Sequence, residues 1–292
     1  VLKLKPAHDL IDNFNKKRLV YTCVFGDYDR VLKPLNKLKN TDYFIITDNS
    51  EMTVNGWQTL LVDSRKFKTP KAANLYYRAL IHKVLSGYDT SIYIDGNIKI
   101  LNGIHEFLIP FENSGCTLGL YPHESRSTVE EEVDACISSG KVLNANDLID
   151  EYQGYLQRGF PDKSGLIETG VIFKNHVTDS LDEPMEVWWQ CFSQRSTRDQ
   201  ISLPYVLWKT NPSVYLFDQS YRKYKATFLI SPHKHDRRYS ELYKLLRPRS
   251  RDGVLWFLIY APFACFHVLF KHANVIRSKV VHRLNGIKVS KG

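Results

Sequence analysis

The sequence predicts an α/β fold: a mixed sheet flanked by helices, followed by a basic, apolar helical tail. Three observations predict it. Apolar β-rich runs and one helical pattern follow each other over residues 18–95 in the order β-β-β-α-β, as in α/β sheets. Two of those runs end in an acid, at the strand ends where such sheets bind ligands. Residues 254–270 are almost wholly apolar and carry basic residues on both flanks.

Residues 1–17 read as a polar lead-in. Arg18 to Phe25 is a buried strand that breaks at Gly26-Asp27. Asp42 to Asp48 is a second strand, and Trp57 to Val62 a third. From Pro70 to Leu85 the residues Ala73, Tyr76, Tyr77, Leu80, Ile81, Val84 and Leu85 recur at helical spacing and form one apolar face. Gly87-Tyr-Asp ends that helix, and Ser91 to Asp95 returns as a strand. Further on, Cys116–Tyr121 reads as a strand. Thr128–Ser139 is a helix whose Glu-rich first turn suits the helix dipole. Asn146–Arg158 is a second helix and Glu168–Lys174 a short strand. Asp182–Arg195 and Asp199–Trp208 are helices, the latter limited by Pro204. The predicted domains are 1–240, the α/β domain, and 241–292, the tail.

The chain has 292 residues, 43% apolar, enough for one large core. Its formal charge is +9, of which the last 52 residues carry +8. A groove for long nucleic acid would spread that charge over the folded body, so nucleic acid is excluded as a partner. A basic terminal segment fits anionic lipid head groups. The 17-residue apolar run is short for a bilayer span and contains Pro262, so a helix pair or re-entrant hairpin lying in the interface is predicted. The five cysteines are odd in number and widely spaced, without a CxxC pair, which predicts a reducing compartment and no zinc site. The N-terminal residues show no signal-peptide apolar region.

The chemistry centres on Ser91-Ile-Tyr-Ile-Asp95-Gly96-Asn97. Asp95 ends an apolar strand, Gly96 lets the chain turn, and Asn97 offers a second oxygen. Hard divalent cations take one or two carboxylates together with phosphate oxygens. The element is similar to the DxD of GT-A glycosyltransferases, with Asn in place of the second Asp. Such an enzyme must stabilise the charge that develops on a departing diphosphate. Phe25, Asp27 and Tyr28 follow the first strand, where a nucleobase would sit. Asp48 ends the second strand and is placed for ribose or base. Lys71 and Arg78 lie on the helix before Asp95, placed for the diphosphate.

The chain resembles the glycosyltransferase-like family that includes the plant mucilage-associated hexosyltransferase-like proteins and a plant protein described as an alkaline ceramidase. The resemblance runs from about Tyr21 to Trp208 and continues faintly to His235. It rests on Tyr21-Thr-Cys-Val-Phe-Gly-Asp-Tyr-Asp29, Tyr93-Ile-Asp-Gly-Asn97, His123-x-x-Arg126 with Glu132 and Gly140-Lys141, Glu168-Thr-Gly170-Val-Ile, and Ser196-Thr-Arg-Asp-Gln-Ile-Ser202. Members commonly carry Asp-x-Lys where this chain has Asp95-Gly-Asn97.

The resemblance implies a GT-A-like domain. His123 and Arg126 would meet donor phosphate or acceptor hydroxyls, with Glu132 orienting one of them. Asp199 and Glu168 would be the catalytic carboxylates, with Thr169, Arg198 and Gln200 as acceptor or support residues. Mn²⁺ or Mg²⁺ would be held by Asp95, Asn97 and His233 or His235 from the loop after the main domain. The expected activity is transfer of a hexose-type sugar from a nucleotide-sugar, a uridine one, to a glycan or lipid-linked acceptor in surface polysaccharide assembly. The expected place is the cytoplasmic, inner face of an anionic membrane. Two alternatives are a non-enzymatic membrane-surface protein, which leaves the acids at 95, 168 and 199 without a joint purpose, and a sphingolipid hydrolase. The sequence has no HExxH or GxSxG motif for the latter.

Overall fold

The computed structural model describes residues 15–140, 144–163, 165–194, 198–236 and 238–267. The expected lead-in lies mostly outside the described residues, as do Lys141, Ser196, Thr197 and the tail beyond 267. The chain divides into two compact units, Val1–Ile230 and Ser231–Gly292. Residues 231–240, which the sequence reading grouped with the α/β domain, thus cluster with the second unit.

The first unit is built on a seven-stranded mixed sheet in the order β3-β2-β1-β4-β7-β6-β8. Its strands are β1 (Arg18–Val24), β2 (Thr41–Thr47), β3 (Gln58–Leu61), β4 (Thr90–Ile94), β6 (Leu118–Pro122), β7 (Ile167–Asn175) and β8 (Val214–Leu216). The first four are mutually parallel, and β7 runs antiparallel between β4 and β6. β1 and β4 are buried along their whole length, which explains their unbroken apolar runs. β4 is the middle strand, so its C-terminal end opens at the centre of the sheet edge.

Two cores sandwich the sheet. One packs Leu19, Tyr21, Cys23 and Tyr93 against helices α1 (Pro70–Val84), α3 (Val129–Ser138), α4 (Ala145–Gln157), α5 (Asp182–Gln194) and α6 (Asp199–Thr210). The other packs Val20, Ile92, Ile94 and Phe173 against α2 (His105–Ser114) and a two-stranded ribbon of β5 (Ile98–Ile100) and β9 (Phe228–Ile230). This alternation between faces is the two-residue period of strands.

The expected β-β-β-α-β order and the later helices appear within a few residues of their predicted bounds. Thr128 caps α3 in a complete capping box with Glu131. Pro204 does not stop α6, which continues to Thr210. Four elements were not read from the sequence: α2, which carries Pro110 internally, and the three-residue strands β5, β8 and β9.

The second unit contains α7 (Glu241–Leu246), a 3₁₀ turn at Arg247–Arg251 and a helix over 254–267 that runs through Pro262. Tyr243, Leu246 and Tyr260 form its small core. Among the described residues, no helix is long and apolar enough to cross a membrane.

Candidate active site

Asp95 follows directly on β4, and its backbone N–H continues the ladder to Gly170 O of β7 at 2.9 Å. Its Oδ1 accepts from the Tyr93 hydroxyl at 2.7 Å, since residues two apart share a strand face. The same oxygen is 3.3 Å from Arg78 Nη2. The other guanidinium nitrogen of Arg78, Nη1, donates to Asp199 Oδ2, which also accepts from Thr169 Oγ1 at 2.8 Å. One arginine thus bridges the acid at the end of β4 and the acid at the start of α6. The Asp95 side chain is 29% exposed and that of Asp199 17%, so both can reach a ligand.

Arg78 is itself held firmly. Its Nη2 donates to Asn74 Oδ1 at 3.0 Å, one helical turn back, and its head packs over the Tyr93 ring at 4.5 Å. Asn74 in turn donates to Cys23 O of β1 at 2.6 Å. The α1 backbone leaves helical geometry at Leu80, and buried Lys174 of β7 donates to the Arg78 and Ala79 carbonyl oxygens there. Tyr21 also donates to Arg78 O, at 2.7 Å. Burial pushes the Lys174 amine down to about 7. Burial also pushes the Asp199 carboxyl up, but the Arg78, Arg198 and Lys71 charges and the Thr169 bond outweigh it. They hold Asp199 well below the usual carboxylate range.

A second network adjoins the first through Arg198, the chain neighbour of Asp199. Glu132, fully buried on α3, lies 2.6 Å from Arg126 Nη2 and 3.3 Å from Arg198 Nη2. It therefore gathers two guanidinium groups, those of Arg126 and Arg198, where it was expected to orient one of His123 and Arg126. His123 accepts the Arg126 backbone N–H at Nδ1, and burial together with the Arg126 charge lowers its pKa.

A third cluster occupies the adjacent part of β7. Glu168 accepts from Ser220 Oγ at 2.8 Å and Arg222 Nε at 2.9 Å. Burial raises its pKa against the pull of those partners. The β6–β7 register shifts between Gly119 and Tyr121, an irregularity of the kind that re-aims side chains beside active sites. Consecutive residues Glu168, Thr169 and Gly170 contact Arg222, Asp199 and Asp95 in turn.

The remaining expected residues are more dispersed. Phe25 is buried and stacks on Tyr77, so its ring is not available to a ligand. Tyr28 is 60% exposed and within electrostatic reach of Asp95, Arg198 and Asp199. Asp27 is exposed and left-handed (φ 56°), beside Gly26, where a Cβ would strike Pro70 at the head of α1. Lys71 lies in the first turn of α1 and feels Asp199, Arg198 and Arg78. Asp48 ends β2, apart from the other acids, and accepts from Ser64 at 2.6 Å. Asn97 is buried at 8% exposure, while Gln200 sits half-buried in the first turn of α6. His233 and His235 belong to the second unit. Among the described residues, no group of three or more His, Cys, Asp or Glu is arranged to hold a metal.

Sequence reasoning missed Asn74, Tyr93, Ser220, Tyr221 and Arg222. The first two were findable, standing four residues before Arg78 and two before Asp95.

Residues 36–235 match the family model TOD1/MUCI70, glycosyltransferase-like domain. The chain belongs to the TOD1/MUCI70 family. That span contains Asp95, Glu132, Glu168 and Asp199, whereas the Tyr21–Asp29 opening lies before it. As a TOD1/MUCI70 member the protein is a glycosyltransferase-class enzyme, handling a sugar donor and an acceptor. No curated protein matches the sequence. Solved structures similar to it include mouse xyloside xylosyltransferase 1 in its apo form, at 7% identity and TM-score 0.43, over 69% of this chain and 85% of that one. They also include the apo WbbM bifunctional glycosyltransferase, at 13% identity and TM-score 0.43, over 71% of this chain and 40% of that one.

Proposed function

We propose that the protein is a GT-A-type enzyme that moves a hexose-type sugar from a nucleoside-diphosphate donor, a uridine one, to a glycan or lipid-linked acceptor. One observation carries the reading: Arg78 joins Asp95 and Asp199 at the C-terminal end of the central strand. Open α/β sheets bind ligands at that edge. Lys71 and Arg198 act on Asp199 and Arg222 on Asp95, and they supply positive charge for a diphosphate.

In the reaction the bond from the anomeric carbon to the diphosphate oxygen breaks, and its electron pair leaves with the diphosphate. The acceptor hydroxyl oxygen bonds that carbon, and its proton passes to the departing diphosphate. Arg78 fixes both carboxylates in place and helps hold Asp199 ionised. The low pKa of Asp199 suits it to orienting sugar hydroxyls or stabilising positive charge on the ring. Mg²⁺ or Mn²⁺ fits through a single protein oxygen. Asp95 Oδ1 accepts from Tyr93 and Arg78, so Oδ2 would be the atom that holds the cation, together with oxygens of the donor. When bound there, the cation would neutralise the departing diphosphate.

The same reading includes a membrane surface. In the second unit Val254, Leu255, Phe257, Leu258 and Phe266 are more than half exposed, and Arg247, Arg249 and Arg251 precede them. An apolar helix face beside a basic turn suits the cytoplasmic face of an anionic bilayer, where a lipid-linked acceptor for polysaccharide assembly would be met.

The test incubates the purified protein with radiolabelled uridine-diphosphate hexoses, Mn²⁺ and a membrane extract. Incorporation that is lost in Asp95→Asn supports the reading. No binding and no incorporation with any common nucleotide-sugar overturns it.

A further inference from the structure

Glu168 was expected to be a catalytic acid, yet its side chain is only 1% exposed. Both oxygens are engaged: Ser220 Oγ donates to Oε2 at 2.8 Å, and Arg222 Nε donates to Oε1 at 2.9 Å. Ser220 Oγ also accepts the Arg222 backbone N–H at 3.1 Å, which fixes the turn that carries the arginine. Arg222 Nη2 donates to the Tyr221 hydroxyl at 3.1 Å, with the guanidinium 5.2 Å from the Tyr221 ring. Tyr221 is 2% exposed and cannot swing away.

The guanidinium is therefore clamped from behind by a carboxylate, a phenol and a ring. Its front is open, because the Arg222 side chain is 41% exposed and none of these bonds uses Nη1. An arginine present only to neutralise a buried acid would be buried with it, since a buried pair is compensated through close mutual contact. Here a wholly buried carboxylate holds an exposed fork in one orientation. Such pre-organisation lowers the cost of binding a planar or tetrahedral oxyanion. The fork also flanks the reactive acids. Tyr221 Cζ and Asp95 Oδ2 each lie 3.0 Å from the position a Cβ on Gly170 would occupy.

We propose that Arg222 is an oxyanion-binding residue of the active site, with Glu168 and Ser220 as the residues that position it. The proposal rests on the transferase reading above. The oxyanion is a phosphate of the donor or a carboxylate on an acidic acceptor sugar, and the two sources are separable.

Inorganic pyrophosphate, uridine diphosphate and galacturonate are titrated calorimetrically into the full chain and into Arg222→Gln, Arg222→Lys, Glu168→Gln and Lys71→Ala. Unfolding temperature is followed in each. The expected result, read well below the unfolding temperature of each variant, is at least tenfold weaker pyrophosphate binding in Arg222→Gln, whose unfolding temperature falls because buried Glu168 loses its partner, partial recovery of binding in Arg222→Lys, and a comparable loss of binding in Glu168→Gln. Loss confined to galacturonate supports the same residue with the acceptor as the source. If Arg222→Gln binds both ligands as wild type does while Lys71→Ala loses pyrophosphate, the Arg222 proposal is wrong and the transferase reading stands. If wild type binds neither pyrophosphate nor uridine diphosphate, both fall together.

Discussion

Replacing Gly170 by Ala tests the architecture of the site with a single methyl group. No left-handed backbone is involved, so any effect is steric. The new Cβ would sit 3.0 Å from Asp95 Oδ2 and from Tyr221 Cζ, and closer still to the Tyr221 hydroxyl. Ordinary contact begins near 3.4 Å. Tyr221 is buried and its hydroxyl holds Arg222, so relief must come partly from Asp95. Overpacking of this kind costs about 1–3 kcal/mol, which for a domain of this size lowers Tm by roughly 2–10 °C. Displacing a reacting group by about 1 Å costs about 100-fold in rate. Gly119→Ala is the matched control: its Cβ would lie 2.8 Å from Phe111 Cδ2 and 2.9 Å from Phe173 Cβ, in the core rather than the site. Calorimetry and a transfer assay well below Tm should show similar stability losses in both variants, with activity lost only in Gly170→Ala. Wild-type activity in Gly170→Ala, or an equal activity loss in Gly119→Ala, would refute the close approach of Gly170 to Asp95.

Other expectations follow from the same contacts. Lys174 has a folded-state pKa of about 7, below its unfolded value, so the unfolded chain binds the extra proton above pH 7. Stability should therefore rise between pH 7 and 9 in urea titrations, and Lys174→Met should flatten that rise. Asp199 is also shifted down, which for an acid means that folding favours its charged form: its contribution is present above the unfolded carboxylate pKa and is lost as pH falls. Asp199→Asn should flatten the acid limb of the stability curve and reduce transfer by about 100- to 1,000-fold, the range for a lost electrostatic contact in a reaction site. Arg78→Met should remove the bridge between the two carboxylates, leaving Asp199 to Arg198, Lys71 and Thr169, and lower unfolding free energy by about 3 kcal/mol, the low end for breaking a buried pair. Serine at Val254, Leu255 and Phe257 should abolish sedimentation with anionic vesicles while leaving transfer to a water-soluble acceptor intact.

The sheet was legible because its buried strands are continuous apolar runs and α1 has a clean helical face. The strands β5, β8 and β9 were not, since three residues carry no periodicity. The β5–β9 pairing also joins residues 130 positions apart in sequence. In the site, the acids at 95, 168 and 199 stood out by motif. Their division of labour did not, because it depends on who faces whom. Arg78 was read as a phosphate ligand and instead spans two carboxylates. Glu168 was read as a catalytic acid and instead faces Ser220 and Arg222. Arg222 lies in a three-residue 3₁₀ turn, Tyr221–Lys223, between β8 and β9, without pattern or motif, so only the fold brings it to Asp95.

The most direct test of the account is a structure of the protein with uridine diphosphate and Mn²⁺. The account predicts the diphosphate at the C-terminal end of β4, the cation on Asp95 Oδ2, and the Arg78 bridge to Asp199 intact. A nucleotide seated elsewhere, or a diphosphate beyond the reach of Asp95 and Lys71 with the bridge unchanged, would contradict it.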